Sequence, residues 1–558
     1  MKKKVVVIGL DGATFTLLQP WMEQGKLPHI ARMMREGSFG RLASTPEKLS
    51  PAAWTSFATG VNPGRHGIFH FFIVDPKTLK VRIINATGRK VEPFWIHAGK
   101  AGKRVCVINV PVTFPADTVN GCMISGWDAP SIQSKGFSYP PELIDEIVRQ
   151  FHDYPLVPSI KKFSSQPEAV IADLHRVLDL RIALSKYLLK KEDWDIFVTV
   201  LTETDQVQHF FWHLTDASHP LHKNNNLYSK YGDAVLGIYE KCDRFIGETM
   251  TDLGEDATII IVSDHGAGIN ALGNQYLPVL LEKTGFLRKK CQPSSLNKSV
   301  HVLKNFLISR LSLLFSHNQL QKLKKILKGN FDFGLDAIVA DYDWANSTAY
   351  PVGANLRINV KGREALGVVS EGKEYEKVIH ALITTLKGCV DIETGKPVIT
   401  DVIRKEDAYS GGFMEDAPDL IVKWVDDFVI AGISCRTADG SLVKILPIDI
   451  DPYEENWTGE HADYGIFMAK GPDIKNHHCV HSPRITDIAP SIMYLMGIPL
   501  PDDRDGKVLT DIFTEAFLKR DQTPAVNFTG GDNVEGMAYS KEEEDALKQR
   551  FRDLGYMN

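Results

Sequence analysis

The chain has 558 residues, 43% hydrophobic and 24% charged, which suits a large α/β core with insertions rather than a fibrous or disordered chain. Its formal charge of −6 argues against general nucleic-acid binding, which calls for a basic surface, but leaves room for a small phosphorylated substrate at a local positive site. Seven scattered cysteines (Cys106, Cys122, Cys242, Cys291, Cys389, Cys435 and Cys479) include no Cys-x-x-Cys pair. They read as buried thiols of a reducing compartment, not a disulfide framework.

Met1–Lys4 and the apolar run Val5–Leu10 imitate a signal peptide, but the run is short and leads into Asp11-Gly12 without a cleavage site. No stretch reaches the ~18 apolar residues of a membrane span. A cytoplasmic protein is the expectation. Lys4–Leu10 is the first of four Val- and Ile-rich runs, followed by Arg104–Asn109, Ile196–Leu201 and Thr258–Val262. Unbroken apolarity predicts strands buried on both faces, as in a parallel sheet covered by helices. Between them, Pro167–Lys190, preceded by the capping candidates Ser164 and Ser165, and Ala234–Leu253 carry apolar residues at helical spacing. The predicted fold is α/β, a large and mostly parallel central sheet flanked by helices, with a helical insert and a smaller α+β cap lobe.

The expected division runs as follows. Residues 1–285 form the first part of the core and 431–515 the second. Residues 286–336 form a basic insert: Arg288–Lys328 holds about ten Lys and Arg and no Asp or Glu. An amphipathic helical pair packed on its own protein is the first reading of that insert, with a membrane-surface or protein contact as the second. Residues 337–430 form the smaller lobe, with a strand at Asn355–Val360 and a helix at Glu374–Leu386. Residues 516–558 form a tail whose helix, Ser540–Leu554, opens with a Ser-x-x-Glu capping pattern and docks on the surface.

Sites in open α/β sheets form at the carboxyl ends of strands, and Asp11, Asp205 and Asp264 all follow predicted strands. Asp205 and His209 stand four apart, so one helical turn aims both the same way; His213 is a rival to His209. Asp264-His265-Gly266 follows its strand, where Gly266 and Gly268 permit a tight turn. His461 lies in Gly459-Glu460-His461. Three carboxylates and three imidazoles suit two divalent ions, Zn²⁺ or Mn²⁺. Each piece alone has a plainer reading as a turn former or an ordinary histidine; their combination does not. Ser50-Pro51 opens a predicted helix, where the free N–H groups of the first turn favour a phosphate. The plainer reading of Ser50 is an N-cap with Pro51 at the first helical position. Thr55 and Ser56 are rival hydroxyls inside that helix.

The ordered set Asp11-Gly12, Ser50, Thr59-Gly60-x-x-Pro63-x-x-His66-Gly67-Ile68, Asp205-x-x-x-His209, Asp264-His265-Gly266 and His461 resembles the type I phosphodiesterase/nucleotide pyrophosphatase family of the alkaline phosphatase superfamily, over roughly residues 4–510. The resemblance implies one metal site of Asp205, His209 and His461, another of Asp11, Asp264 and His265, and Ser50 as nucleophile between them. In the family an Asn after the His-Gly-Ile segment contacts the phosphate. Here His70 and Phe71 stand in its place, so His70, Phe71 and Asn109 are the candidate substrate contacts, with Asn109 as the substitute for that Asn. The implied activity is hydrolysis of a phosphodiester or pyrophosphate through a phosphoseryl intermediate. The alternatives are a phosphomonoesterase or phosphomutase of the same superfamily, and a non-catalytic scaffold that keeps the fold.

Overall fold

Lys4–Leu10, Ala257–Val262, Ile196–Leu201, Val105–Ile108 and Gly121–Ile124 form the parallel centre of a nine-stranded sheet in a computed structural model. It describes residues 3–78, 80–159, 166–222, 228–290, 342–437, 440–450, 457–520 and 539–554. Across the sheet the order is His478–Cys479, Ser38–Ala43, Tyr464–Lys470, Ala257–Val262, Lys4–Leu10, Ile196–Leu201, Val105–Ile108, Gly121–Ile124 and Ser138–Tyr139. Tyr464–Lys470 runs antiparallel to both neighbours.

The unbroken apolar runs have the expected cause. Val6, Ile8 and Leu10 pack into one core, while Val5 and Val7 pack into another on the opposite face. Helices Pro167–Lys191, Glu203–Thr215 and Ala234–Leu253 cover the first face; Ser50–Thr59, Phe94–Lys100 and Ile488–Leu495 cover the second. Leu10 pairs with Leu201 and Gly9 with Val262. This register brings the chain out at Asp11, at Asp205 and at Asp264 along one edge of the sheet.

The smaller lobe is an antiparallel sheet of Ala349–Val352, Asn355–Ile358, Leu420–Trp424 and Ile399–Arg404, backed by the helix Lys373–Lys387. It has a core of its own, which includes Leu356, Leu382 and Trp424 and extends to Tyr276 and Leu277 of the helix Gly273–Thr284. Residues 291–341, which include Cys291 and most of the basic insert, lie outside the described residues, as do Ser164 and Ser165. The remaining six cysteines are free, and all but Cys479 are buried. No helix among the described residues is long and apolar enough to cross a membrane.

The C-terminal helix Lys541–Asp553 begins with the predicted reciprocal cap between Ser540 and Glu543. It docks more deeply than a surface helix need. Leu547 and Phe551 are fully buried, and the Arg550 guanidinium donates to the carbonyls of Trp127, Ala129 and Pro130.

The helix Glu203–Thr215, which carries Asp205 and His209, is anchored by an ion pair within the core. Arg181 Nε lies 2.9 Å from Glu203 Oε1, with both side chains almost fully buried. The guanidinium also donates to Tyr154 and to the Leu156 carbonyl. Removing one partner strands a buried charge, so Arg181→Met is expected to destabilise the fold by ~3–5 kcal/mol. Urea unfolding monitored by tryptophan fluorescence would measure it; a loss below ~1 kcal/mol would show that Glu203 finds another partner.

Candidate metal centre

Asp11, Asp205, His209, Asp264, His265 and His461 come together at the carboxyl edge of the parallel strands, and each is at most 3% exposed. Asp205 and His209 share a helical face, with His209 Nε2 3.1 Å from Asp205 Oδ2. His461 arrives by a route the sequence does not announce. Gly266–Ile269 is not a turn but a strand, paired antiparallel with Gly459–Ala462, so that Ala267 stands opposite His461. The glycines make the ribbon possible: a Cβ on Gly266 would lie 2.2 Å from the Tyr464 carbonyl oxygen, and one on Gly459 would lie 2.4 Å from that of Gln208. The His265 and His461 rings then stack at 3.7 Å.

All three imidazoles are oriented by backbone carbonyls. Nδ1 of His209 meets Gly459 O at 2.8 Å, Nδ1 of His265 meets Gly266 O at 2.9 Å, and Nδ1 of His461 meets Lys48 O at 2.8 Å. A carbonyl only accepts, so each Nδ1 carries a proton and each Nε2 faces inward, where it offers a lone pair once unprotonated. The Nε2 atoms of His209 and His461 approach to 3.1 Å, and His461 Nε2 lies 3.5 Å from Asp205 Oδ1. On the other side His265 Nε2 lies 3.3 Å from Asp264 Oδ2 and 3.5 Å from Asp11 Oδ1. Asp264 Oδ2 is buried with no hydrogen-bond donor. Acceptors converging in this way repel unless protons or cations lie among them. The carbonyl-bound Nδ1 is the arrangement that orients metal-ligating histidines. The donor set fits divalent ions.

Ser50 is the first residue of the helix Ser50–Thr59, not its cap: Leu49 holds the cap position, and the Ser50 hydroxyl makes no capping bond. Instead Oγ lies 3.1 Å from His265 Nε2 and 3.5 Å from Asp11 Oδ1. The rival hydroxyls are committed elsewhere, Thr55 to the Pro51 carbonyl and Ser56 to His66. His66 also accepts the Ile68 N–H, so its segment serves local structure. His213 faces Thr458 Oγ1 at 3.1 Å and joins none of the candidate metal groups among the described residues.

Charge crowding dominates the electrostatics. Burial, together with the charges of Asp264 and Asp205, raises Asp11 well above the usual carboxylate range. Burial pushes Asp264 up to about 7. Burial and the neighbouring His461 hold His265 well below the usual histidine value. Burial opposes charge on His461 too, but the hydrogen bond and charge of Asp205 outweigh it and push His461 up to about 9. The site as a whole attracts positive charge.

One of the three substrate-contact candidates, Phe71, is corrected. Phe71 is 1% exposed, stacked on Phe551 at 4.9 Å and set edge-on to Trp127, which leaves no face for a substrate. Asn109 is also 1% exposed, with Nδ2 donating to the Val200 carbonyl. This uses one of the two Nδ2 hydrogens, and Oδ1 is buried without a partner. His70 stays beside the centre, close enough to His461 to feel its charge.

Three residues went unassigned in the sequence. Trp54 donates from Nε1 to Asp11 Oδ2 at 3.1 Å, and Trp457 stacks on His209 at 3.8 Å. The Glu460 carboxylate shares a compact group with His209 and His461. Adjacency to His461 is the only sequence signal for Glu460, and closeness to Ser50 the only one for Trp54, where it suggests stacking on a leaving group; nothing local marks Trp457.

Residues 5–432 match the family model of type I phosphodiesterase/nucleotide pyrophosphatase. His461 lies beyond that match. No curated protein sequence matches the chain. Among solved structures, the chain resembles phosphonoacetate hydrolase from Sinorhizobium meliloti 1021 in complex with phosphonoacetate, at 14% identity and a TM-score of 0.50 over 89% of this chain and 96% of that one. Human ectonucleotide pyrophosphatase/phosphodiesterase 5 aligns at 14% identity and a TM-score of 0.48, over 92% of this chain and 100% of that one. At 14% identity the likeness to the phosphonoacetate hydrolase speaks to the fold alone.

Proposed function

The chain belongs to the type I phosphodiesterase/nucleotide pyrophosphatase family, and on that premise we propose that it hydrolyses a phosphodiester or pyrophosphate bond with Ser50 as nucleophile. The observation that carries this reading is the convergence of three carbonyl-oriented imidazoles and three carboxylates beside the Ser50 hydroxyl. Two divalent ions, zinc or manganese, one held by Asp11, Asp264 and His265 and the other by Asp205, His209 and His461, would supply charge that acidifies the serine hydroxyl and offsets charge growing on the phosphoryl oxygens.

The chain's own residues account for the rest. Ser50 Oγ attacks phosphorus; a P–O bond to serine forms as the bond to the leaving oxygen breaks, and the hydroxyl proton passes to solvent. Water then cleaves the phosphoseryl ester, returning the hydroxyl to Ser50 and releasing the phosphoryl product. Trp54 fixes the Asp11 carboxylate throughout. Thr204 Oγ1 donates to the Asp11 carbonyl and Gln208 Nε2 to the Gly12 carbonyl. These bonds tie the first strand's exit to the helix bearing Asp205 and His209.

Hydrolysis of an aryl phosphodiester against its matching monoester, with added Zn²⁺ or Mn²⁺, tests the proposal. Diester turnover is expected to exceed monoester turnover. The opposite preference would favour a phosphomonoesterase or phosphomutase. One observation leans that way: the ammonium of Lys48, a partly buried residue two positions before Ser50, is 4.0 Å from Asp463 and feels the charge of Glu460.

Metal affinity should depend on pH with a definite sign. His461 is pushed up to about 9 from an ordinary 6.5, so below the higher value an incoming ion must displace its proton. Zinc affinity is expected to climb ~10-fold per pH unit across that window and level off above it. Competition titrations against a chromophoric chelator would show this; an affinity flat over the window would exclude His461 as a ligand.

A further inference from the structure

Residues 44–49 carry the chain from the strand Ser38–Ala43 to Ser50, and two hydrogen bonds join them to residues 461–463. The Ser44 N–H donates to the Asp463 carbonyl at 2.9 Å, and the Lys48 carbonyl accepts from His461 Nδ1 at 2.8 Å. The segment that leads to the nucleophile therefore also orients the last metal ligand. Lys48 holds a φ of 50°, a left-handed conformation that a residue with a side chain keeps only where its surroundings impose it.

Part of what imposes it comes from the smaller lobe. In the strand Leu420–Trp424 four residues are buried and apolar, and the fifth is Lys423. Its ammonium reaches over to the core, where it donates to the Pro46 carbonyl at 2.7 Å and to Asp463 Oδ1 at 2.6 Å. The side chain is 13% exposed. One group from the lobe thus holds both partners, at a point two residues before Lys48 and at another two residues after His461. The lobe also backs the ribbon that delivers His461. Gly268 pairs with Glu460, and a Cβ on Gly268 would lie 3.1 Å from the Asp426 carbonyl oxygen.

We propose that Lys423 is a positioning residue for the reaction: it clamps the segment leading to Ser50 against the segment bearing His461, and so sets the nucleophile relative to the metal ligands. The inference rests on the reading of Ser50 as nucleophile and of His461 as ligand, and it gives the smaller lobe a part in the chemistry of the core. Ion pairs at a partly exposed carboxylate such as Asp463 contribute little by themselves. The bond to the Pro46 carbonyl is what makes this one a clamp, because it fixes backbone next to a carbonyl that holds a ligand's imidazole. Outer groups of that kind are worth ~10–100-fold in metal affinity or activity, and small misplacements of reacting groups carry losses of similar size.

The test uses the full-length enzyme, Lys423→Met and Lys423→Arg, with two readouts: turnover of an aryl phosphodiester at saturating metal, and zinc competition against a chromophoric chelator. In Lys423→Met, kcat is expected to fall ~10–100-fold with KM within ~2-fold of wild type, and zinc to bind ~10-fold more weakly. Lys423→Arg keeps the charge and several donors, and should return kcat and zinc affinity to within ~3-fold of wild type. The zinc shift has a sign that separates positioning from charge. Removing a nearby positive charge would by itself tighten zinc binding, so tighter or unchanged binding in Lys423→Met overturns the clamp. A wild-type kcat with a lowered melting temperature overturns it too, as the mark of an ordinary contact between lobes. A loss confined to KM does the same, as the mark of a group that touches substrate. If Lys423→Met fails to fold, Lys423→Gln, neutral and one bond shorter, carries the same expectations and the same overturning results. Failure of the underlying reading looks different: no Ser50-dependent turnover in the wild type. The zinc titration needs no turnover, and in that case it still decides whether Lys423 holds His461 in place.

Discussion

Ser50→Ala is expected to abolish diester turnover, by on the order of 10⁴-fold or more, while metal content and melting temperature stay at wild-type values. The magnitude follows from the role: a nucleophile that forms the covalent intermediate leaves only the residual catalysis of charge and positioning when it is lost. The selectivity follows from the structure. Ser50 makes no capping bond, so the helix Ser50–Thr59 does not depend on its hydroxyl. Its contacts, 3.1 Å to His265 Nε2 and 3.5 Å to Asp11 Oδ1, are to groups with other anchors. Steady-state kinetics with a chromogenic diester, paired with elemental analysis of the same preparation, would check both halves. Residual activity above ~10% would transfer the attack to a water and end the phosphoseryl scheme. Trapping is the complementary measurement: acid quenching of the wild type during turnover should yield phosphoserine at residue 50 and nowhere else.

His461→Ala should have the second-largest effect, and it reads metal binding rather than chemistry. Loss of a partner that merely orients a ligand costs ~10–100-fold in metal affinity, so loss of a ligand should exceed ~100-fold and lower turnover in proportion at limiting metal. Four contacts vanish together: the hydrogen bond to the Lys48 carbonyl, the stacking on His265 and the approaches to Asp205 and His209. Excess zinc should restore part of the activity, because Asp205 and His209 stay in place on their helix. An unchanged metal stoichiometry and affinity would show that Glu460, which already shares a group with His209 and His461, can serve in its place. The double variant His461→Ala/Glu460→Gln separates that case from an error in the assignment.

Much of this molecule is legible in local sequence because local physics fixes it. The first strand, Lys4–Leu10, and the helix Ala234–Leu253 have the predicted boundaries. An apolar run with no polar interruption has to be covered on both faces, and a 3–4 spacing has to turn one face inward. Asp11, Asp205 and Asp264 were readable as site residues for the same reason: in a parallel sheet the chain leaves every strand at one edge, so polar residues after strands gather there. Asp205 and His209 needed only one helical turn.

Long-range backbone pairing decided the rest. Gly266 and Gly268 read as a turn, since glycine is a poor strand former, but here close packing against other backbone admits nothing larger, and the resulting ribbon delivers His461 to His265. Phe71 sits beside the His-Gly-Ile segment in sequence, yet its ring is claimed by Phe551, 480 positions away at the C-terminal helix. The choice between His209 and His213 depended on which carbonyl or hydroxyl faced each ring. The sequence by itself determined the four central strands of the sheet, helices that flank them and the residue types that line its edge, because periodicity and burial act over a few neighbouring residues. Only the tertiary structure decided which side chains face one another and which polar groups are left open, because those outcomes depend on hydrogen bonds between segments hundreds of residues apart.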